Sequence, residues 1–318
     1  MRAPDLIIVG QVTIDDVVPA MPGPWSRQIG GSSLYALAGA RLWLDARRIG
    51  LVARLGEDYP FDIETMLRRA GIAHILLSRF PGQHLVEWLI YEPDGSRRSL
   101  PRNPELLPIG AEGALAPQGS SPQQALYDRL YQKLLDIAPS ADHIPAAWLP
   151  AAALHLCPQV GNRHRDTLVA LRDQVRWISV DPSPHYARSA TIAQLAERLR
   201  GASALLPSAQ DIAALLHAAE PEAAVRALGQ AGFAEVALKR GAHSILLGHD
   251  GVVTEIPTVA ADVVDPTGAG DAFCGAYAAC RLLGHAPVEA AHCAAASAAL
   301  VVGCRGVAAA LRLEPPAL

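Results

Sequence analysis

The stretch Asp265-Pro266-Thr267-Gly268-Ala269-Gly270-Asp271-Ala272-Phe273 decides how this chain is interpreted. Two glycines around one alanine allow a tight turn, and residues 274–283 continue as a helix-forming run. The first N–H groups of such a helix lack internal partners, and the helix dipole is positive at that end. The stretch therefore predicts an anion-binding turn at residues 268–270, at the start of a helix.

Asp271 is the unexpected member of this turn. A carboxylate beside a bound phosphate would repel it, so anion binding alone does not explain the aspartate. Asp271 is explained if it takes a proton from an attacking hydroxyl while the neighbouring N–H groups hold charge on a transferring phosphoryl group. A helix-capping aspartate is the simpler alternative, and the pattern by itself leaves these two interpretations nearly even.

Around this turn, short apolar runs alternate with longer helical patterns, which is typical of βαβ units. We predict strands at 6–9, 49–53, 153–156, 177–181, 204–206, 236–238 and 244–247. We predict helices at 33–43, 61–70, 122–137, 163–174, 190–200, 269–283 and 288–302. The expected fold class is α/β, with a mostly parallel central sheet flanked by helices on both faces.

One segment departs from this alternation and predicts a hairpin outside the main sheet. Residues 83–91 have the pattern of a strand, Pro93-Asp94-Gly95 is a turn signal, and residues 96–100 can return antiparallel. The following stretch, 101–122, is rich in Pro, Gly and Ser and predicts a loop. Ser121 then begins a helix in capping-box form.

Composition limits the classes of partner. The chain has 318 residues, 51% of them hydrophobic and 18% charged, which suits a single α/β domain over 1–318 with a large buried sheet. A net charge of −4 gives no basic field for a nucleic acid. No apolar run has the length of a membrane span, so no membrane partner is expected. Five cysteines without a C-x-x-C pair favour the reducing cytoplasm.

Several common catalytic and nucleotide-binding patterns are missing from the sequence. A Walker A loop needs a lysine after a glycine, and neither Lys133 nor Lys239 follows one. The dinucleotide fingerprint needs a small residue where Phe273 stands. There is no H-E-x-x-H helix and no G-x-S-x-G elbow. P-loop, Rossmann, zincin and hydrolase interpretations are therefore excluded.

Residues 265–273 are similar to the C-terminal signature of the ribokinase-like (PfkB-type) carbohydrate kinase family, D-[TP]-[TV]-G-A-G-D-[AST]-F. The resemblance extends over nearly the whole chain. It implies a ribokinase-like fold with a small β lid made from parts of 11–30 and 83–103, and a homodimer through lid strands. It implies transfer of the γ-phosphoryl group of ATP, with Mg²⁺, to a hydroxyl of a sugar, cyclitol or nucleoside. A catalytically degenerate small-molecule or nucleotide-binding protein on the same fold is the alternative.

The resemblance also implies an acceptor side. Asp15, rather than Asp16, would bind substrate hydroxyls, and the backbone at Gly30 and Gly31 would approach the substrate; without the resemblance, these are a solvated loop acid and a turn before a helix. Tyr35 stands where the family commonly has asparagine. Its flat ring can stack on a ring or narrow the pocket, so we expect a preference shifted from ribose towards a cyclitol, nucleoside or other ring substrate.

On the nucleotide side, residues 206–211 resemble the family's P-N-x-x-E element, with Ser208 and Asp211 in place of Asn and Glu. Asp211 could hold Mg²⁺ through water, and an S-x-x-D helix cap is an equally good explanation. Lys239 and Gly241 stand where the nucleotide-side loop begins. Lys239 could meet a phosphate, although an exposed cation at a strand end is the simpler interpretation.

Two further predictions concern a cation site and an arginine. Asp265 and Thr267 correspond to the family's monovalent-cation site, so the resemblance allows K⁺ there, and Thr267 also lies on the nucleotide side. Arg102, directly after the predicted hairpin, is interpreted as a solvated loop residue.

Overall fold

The structure is a computed structural model that describes residues 2–18, 24–91, 97–102 and 121–316. Within these ranges the strands are β1 (Leu6–Val9), β2 (Thr13–Val18), β3 (Ser26–Gly30), β4 (Ile49–Gly56), β5 (His74–Phe80), β6 (Val86–Tyr91), β7 (Arg97–Pro101), β8 (Ala151–Leu156), β9 (Val175–Val180), β10 (Ala204–Leu205), β11 (Glu235–Lys239), β12 (Ser244–His249) and β13 (Val252–Pro257).

The helices of the same ranges are α1 (Ser32–Arg41), α2 (Ile63–Arg69), α3 (Ser121–Ile137), α4 (Arg163–Leu171), α5 (Pro184–Ala187), α6 (Ile192–Arg198), α7 (Ala213–Ala218), α8 (Pro221–Gln230), α9 (Ala269–Leu282), α10 (Pro287–Val302) and α11 (Val307–Ala310). Short 3₁₀ turns lie at Ala46–Arg48, Ala141–His143 and Ala146–Trp148. None of the described helices is long and apolar enough to cross a membrane.

The main sheet has nine strands in the order β13-β12-β11-β10-β9-β8-β1-β4-β5. All neighbours from β11 to β5 are parallel, and β12 and β13 are added antiparallel at one edge. Strand β1 is fully buried because helices cover both faces of the sheet, which explains its continuous apolar sequence. The predicted α/β fold is confirmed.

A second, four-stranded sheet has the order β3-β2-β6-β7, and we call it the lid. Strands β6 and β7 form the predicted antiparallel hairpin, and β2 joins them in parallel to β6. The predicted turn at 93–95 and most of the predicted loop at 101–122 lie outside the described residues. Side chains on β2 alternate between the two faces of the lid, so adjacent residues such as Asp15 and Asp16 point in opposite directions.

Helices α1 and α9 pack on one face of the main sheet with their backbones in close approach. A Cβ at Gly39 of α1 would lie 2.0 Å from the carbonyl oxygen of Ala272, and a Cβ at Gly275 of α9 would lie 1.8 Å from that of Ala36. Any larger residue at either position would push the helices apart. This contact fixes the start of α9 relative to the start of α1.

The elements that were not predicted include strands β5 and β13 and helices α5, α7, α8 and α11. Both strands lie at edges of the main sheet, and their part-exposed side chains interrupt the apolar run that reveals a buried strand. The residues of α8 begin at Pro221, which is a favourable first helical position. These additions extend the sheet and leave the predicted architecture unchanged.

Candidate functional site

The carboxyl ends of the central parallel strands meet at one edge of the main sheet. Gly10 follows β1, Cys157 follows β8 and Asp181 follows β9, while Lys239 is the last residue of β11. The strand order reverses beside β1, because β4 lies on one side of it and β8 on the other. Ligand sites of open α/β sheets form at such a reversal, outside the carboxyl ends.

The predicted anion turn lies above this edge. Gly268 adopts the left-handed conformation (φ 77°, ψ 3°) and caps α9, which starts at Ala269. Within the described residues, the N–H groups of Gly268 and Gly270 meet no acceptor, and that of Ala269 is 3.4 Å from the carbonyl oxygen of Pro266. Free amide groups at a helix start are the arrangement that binds an anion. Asp271, half-buried, lies in the first turn of α9.

Tyr35 packs directly against the anion turn. A Cβ at Gly268 would lie 2.1 Å from Cγ of Tyr35, so only glycine leaves room for the ring. Tyr35 is 3% exposed, and its hydroxyl has no hydrogen-bond partner among the described residues. Burial raises the pKa of the phenol above its usual value, and Asp265 and Asp15 raise it further. The phenol therefore keeps its proton and can donate it.

Asp15 and Gly30 meet across strands β2 and β3. The Asp15 carboxylate is buried and accepts a hydrogen bond from Thr13 Oγ1 at 2.7 Å. A Cβ at Gly30 would lie 1.7 Å from Asp15 Oδ2, so glycine is required for the carboxylate to occupy this place. Gly31 (φ 116°) caps α1 and passes close to the backbone of Gln11. The Gly-Gly pair thus provides both the turn and the close approach.

Asp16 and Arg102 lie on the opposite, outer face of the lid. Asp16 is fully buried and forms an ion pair with Arg27 at 2.8 Å and another with Arg102. The Arg102 guanidinium also lies over the rings of Trp25 and Trp88, 4.5 and 4.3 Å from their centroids. The interpretation of Arg102 as a solvated loop residue was wrong, because the ion pair and the two rings desolvate the guanidinium.

Lys239 is buried, so the interpretation as an exposed strand-end cation was also wrong. Its Nζ donates to Asp181 Oδ2 at 2.7 Å and lies 3.1 Å from Cys274 Sγ. Burial lowers the pKa of the ammonium, but Asp181 more than offsets that effect and the pKa is raised. A Cβ at Gly270 would lie 3.6 Å from Nζ, so this positive charge sits behind the anion turn.

Ser208 and Asp211 make the reciprocal hydrogen bonds of a capping box, but they do not cap the next helix as predicted, because α7 begins at Ala213 and has Ile212 at its N-cap. The Ser208 N–H donates to Asp211 Oδ2 at 2.8 Å, and the Asp211 N–H donates to Ser208 Oγ at 3.3 Å. The turn is tied to β11, since the Ala209 N–H donates to the carbonyl oxygen of Lys239 at 2.9 Å. This holds Asp211 near the Asp181 and Lys239 pair.

Asp265 connects three parts of the molecule. Its Oδ1 accepts hydrogen bonds from the Thr267 N–H at 3.0 Å and from the Tyr91 hydroxyl of the lid at 2.9 Å. Its Oδ2 accepts from the Gly306 N–H at 3.3 Å, just before α11. Tyr91 also contacts the Thr267 hydroxyl. The segment predicted to hold a monovalent cation therefore joins the anion turn to the lid.

A cavity of about 460 Å³ opens beside the anion turn. Its wall includes Lys239, Gly241, Ala269, Gly270 and Phe273, and the remainder is mainly alanine and valine side chains from 259–263 and the end of α10. An apolar slot with a polar, positively charged end has the shape and chemistry of a nucleotide site.

Sequence reasoning did not select Asp181, Tyr59, Tyr91 or His84. Asp181 ends a predicted strand, and the rule that ligands bind at carboxyl ends could have indicated it. Tyr59, Tyr91 and His84 make contacts between segments that are far apart in the sequence, so no local pattern indicates them. His84 Nδ1 accepts from the Gly56 N–H at 2.9 Å, so its Nε2 carries the proton donated to the carbonyl oxygen of Val12 at 3.0 Å.

Comparison with known proteins finds similarity to carbohydrate and nucleoside kinases. A family model described as "pfkB family carbohydrate kinase" matches residues 167–313. The chain is 26% identical over 290 residues to a cytidine kinase of Thermococcus kodakarensis, covering 86% of this chain and 87% of that one.

Solved structures show the same fold. A Burkholderia thailandensis nucleoside kinase in complex with inosine has a TM-score of 0.68 at 15% identity, covering 95% of this chain and 91% of that one. An E. coli structure described as a ribokinase II with ATP and Mg²⁺ has a TM-score of 0.66 at 20% identity, covering 96% of this chain and 94% of that one.

Proposed function

We propose that the chain is a PfkB-family kinase that transfers the γ-phosphoryl group of ATP to a hydroxyl of a sugar, cyclitol or nucleoside, and the family model over residues 167–313 and the similarity to a cytidine kinase support this. Asp271 acts as the general base, and the amide groups of 268–270 hold the charge of the transferring group. Asp15 and Tyr35 bind the acceptor. Phosphoryl transfer needs little more from the protein than positioning and charge stabilisation, and these groups supply both.

The observation that carries the proposal is the position of Asp271. It stands in the first turn of α9, next to free N–H groups, with the 460 Å³ cavity on one side. On the other side lie Tyr35 and the lid carboxylate Asp15, and Asp271 itself adds to the negative field on Tyr35. A base between a donor cavity and an acceptor pocket suits transfer from one to the other.

Among the possible acceptors, a nucleoside is the one we favour. The similar proteins include a cytidine kinase and a nucleoside kinase in complex with inosine. The Tyr35 ring adds a flat apolar surface beside the polar groups of the lid, and a nucleoside or cyclitol offers a ring to contact it. Tyr35 is therefore our candidate for the residue that moves preference away from ribose.

The residues on the nucleotide side fit Mg²⁺ in the form that the ion usually takes with phosphates. Among the described residues no group of three or more acidic, histidine or cysteine side chains could enclose a metal ion. Mg²⁺ commonly keeps several waters and one or two carboxylates besides the phosphates. Asp211 is our proposed water-mediated ligand, with the orphaned and buried Oδ1 of Asp181 close by. When bound, Mg²⁺ supplies charge neutralisation on the phosphates.

A monovalent cation at Asp265 and Thr267 is a separate proposal. The Asp265 carboxylate is already engaged by two backbone N–H groups and a hydroxyl. Main-chain oxygens of this segment are thus the expected ligands for K⁺. Equal rates in potassium and sodium salts would argue against it.

We also propose a homodimer through the lid. Among the described strands, β3 and β7 stand at the edges of the lid, and Trp25 is 46% exposed on its outer face. Exposed strand edges are normally covered. Light scattering coupled to size-exclusion chromatography measures the oligomeric state directly.

All five cysteines are free, which supports the proposed cytoplasmic location.

The proposed activity is tested by ADP release from Mg-ATP against a panel of nucleosides, cyclitols and sugars. We expect turnover above the acceptor-free ATPase background, greatest with a ring acceptor. Background rates with the whole panel would favour the alternative, a non-catalytic binding protein on this fold. Binding of ATP without turnover would identify that alternative.

A further inference from the structure

A tyrosine of the lid contacts the segment that leads into the anion turn. Tyr91, the last residue of β6, donates from its hydroxyl to Asp265 Oδ1 at 2.9 Å and contacts the hydroxyl of Thr267. Thr267 immediately precedes Gly268, the residue that caps α9. Asp265 and Thr267 are each 7% exposed, so these contacts form away from bulk water, where a hydrogen bond is electrostatically stronger. The lid therefore reaches to within one residue of the anion turn.

The beginning of this segment is held by the main body. The N–H groups of Val264 and Asp265 donate to the carbonyl oxygen of Val302, at the end of α10, at 2.8 and 3.0 Å. Asp265 Oδ2 accepts a hydrogen bond at 3.3 Å from the N–H that precedes α11. These bonds fix Asp265 relative to two helices of the body. Its other carboxylate oxygen binds the Thr267 N–H at 3.0 Å and the lid hydroxyl together.

The end of the segment needs support from its neighbours because the anion turn contains two glycines. Gly268 has a φ of 77°, and a residue without a Cβ permits many backbone conformations. The N–H groups of the turn stabilise a transferring phosphoryl group only while they stay fixed where charge develops. The Tyr35 ring packs against Gly268, since a Cβ there would lie 2.1 Å from Cγ of the ring. Thr267, held by Tyr91 and Asp265, restrains the chain that enters the turn.

We propose, on the basis of the kinase function above, that Tyr91 is a positioning residue for phosphoryl transfer. Its hydroxyl holds Thr267 and Asp265, and through them it orients the N–H groups of 268–270 towards the transferring group. Tyr91 belongs to the lid, and Asp15 of the same sheet is the proposed ligand of the acceptor hydroxyls. The turn therefore has its working geometry when the lid that carries the acceptor is seated on the body.

Tyr91→Phe tests this role because it removes the hydroxyl and keeps the ring. The lid stays packed on the body in this variant, since Ile14, Ile29 and Val86 still contact the main core. We expect kcat for ADP release to fall at least about fivefold, while KM for ATP and for the acceptor change less than about threefold. A smaller fall in kcat, or a change in KM alone, would overturn the inference. Tyr131→Phe, at a tyrosine that is 42% exposed, is the matched control and should leave kcat unchanged.

A double variant tests whether Tyr91 and Thr267 act together. Thr267→Val removes the second hydroxyl of the contact and should lower kcat on its own. Because residues of one hydrogen-bonded network are not additive, combining Thr267→Val with Tyr91→Phe should lower kcat by less than the product of the two single losses. A loss equal to that product or larger would show that Tyr91 works by another route, and would overturn the inference.

Hydrogen exchange tests the positioning without any turnover. Deuterium uptake by peptides that cover 265–273 is compared between the full-length wild type and Tyr91→Phe, with α8 as the reference for global stability. We expect faster uptake at 265–273 alone, because the start of α9 opens more often when Thr267 is released. If this difference is found but no acceptor gives turnover, the proposed function fails while the inference that Tyr91 orients the turn stands. Equal uptake at 265–273, or faster uptake in α8 as well, would overturn the inference.

Discussion

The proposed donor side of the site comes from the main sheet, whereas much of the proposed acceptor side comes from the lid. Lys239, Asp181 and the anion turn lie at strand ends and a helix start that pack on the central core. Asp15 and Glu87 lie on lid strands, which pack on the body through Ile14, Ile29 and Val86 and through bonds such as that of Tyr91 with Asp265. A fixed donor site beside a lid-borne acceptor site allows acceptor specificity to vary while phosphoryl-transfer chemistry stays the same.

The largest effect is expected where the two sides meet. Asp271→Asn removes the proposed base but keeps the size of the side chain, so kcat should fall about a thousandfold or more while ATP affinity stays similar. Steady-state ADP release and ATP titration measure the two quantities. Near-normal kcat in this variant would remove Asp271 from the mechanism. Asp173→Asn serves as the control, because the Asp173 side chain is 90% exposed.

The donor side should be sensitive to loss of one buried charge. Lys239→Met leaves Asp181 buried without its partner, which should lower the free energy of unfolding by about 3–5 kcal/mol. The double variant with Asp181→Asn should cost less than the sum of the two single changes, because no uncompensated charge remains. Urea denaturation measures these values.

An exposed ion pair on α8 provides the comparison for this cycle. Arg226 pairs with Glu222 at 3.1 Å, and the arginine side chain is 49% exposed. Arg226→Met should therefore change the free energy of unfolding by less than about 1 kcal/mol. If Lys239→Met lowers the free energy of unfolding by no more than Arg226→Met does, the buried pair contributes no more to stability than a surface pair.

The acceptor side should lose stability in acid because of His84. Its buried imidazole joins Gly56 of the body to Val12 at the entry to the lid, and burial lowers its pKa to about 4, from 6.5. The unfolded chain therefore binds the proton more readily than the folded one. The contribution of neutral His84 to the free energy of unfolding is fully present above pH 6.5. It falls by up to about 3 kcal/mol as the pH drops through the pKa of His84 in the folded chain.

The measurement is the difference in unfolding free energy between the wild type and His84→Gln across this pH range. Other buried histidines titrate in both proteins, so their effects cancel in the difference. The exposed His217→Gln variant should follow the wild type. A constant difference from pH 7 to pH 4 would contradict the role given to His84.

The smallest effect concerns selectivity. Tyr35→Asn removes the ring that lies against Gly268 and should change the ratio of kcat/KM between a nucleoside and ribose by about tenfold in favour of ribose. The exposed Tyr131→Asn should leave the ratio unchanged. If the relative rates across the panel are the same in Tyr35→Asn and wild type, Tyr35 does not set the preference.

The role of Asp271 stayed between a base and a helix cap until the family resemblance favoured the base, but the sequence alone determined the α/β class and the anion turn at 268–270. These follow from local rules: apolar runs, glycines that permit a left-handed residue, and a helix start that leaves its amide groups free. The preference for Asp15 over Asp16 came from the family resemblance. The alternating faces of β2 now give a physical reason for that choice, because Asp16 is paired on the outside.

Tertiary structure decided what depends on distant neighbours. Lys239 was interpreted as exposed because a lysine at a strand end usually is, and nothing near it in sequence reveals Asp181, 58 positions away. Arg102 reaches Asp16 across 86 positions, and Tyr91 reaches Asp265 across 174. Burial and pairing of charges arise from packing between elements, so a local pattern specifies where a helix begins but not which charge will stand beside it.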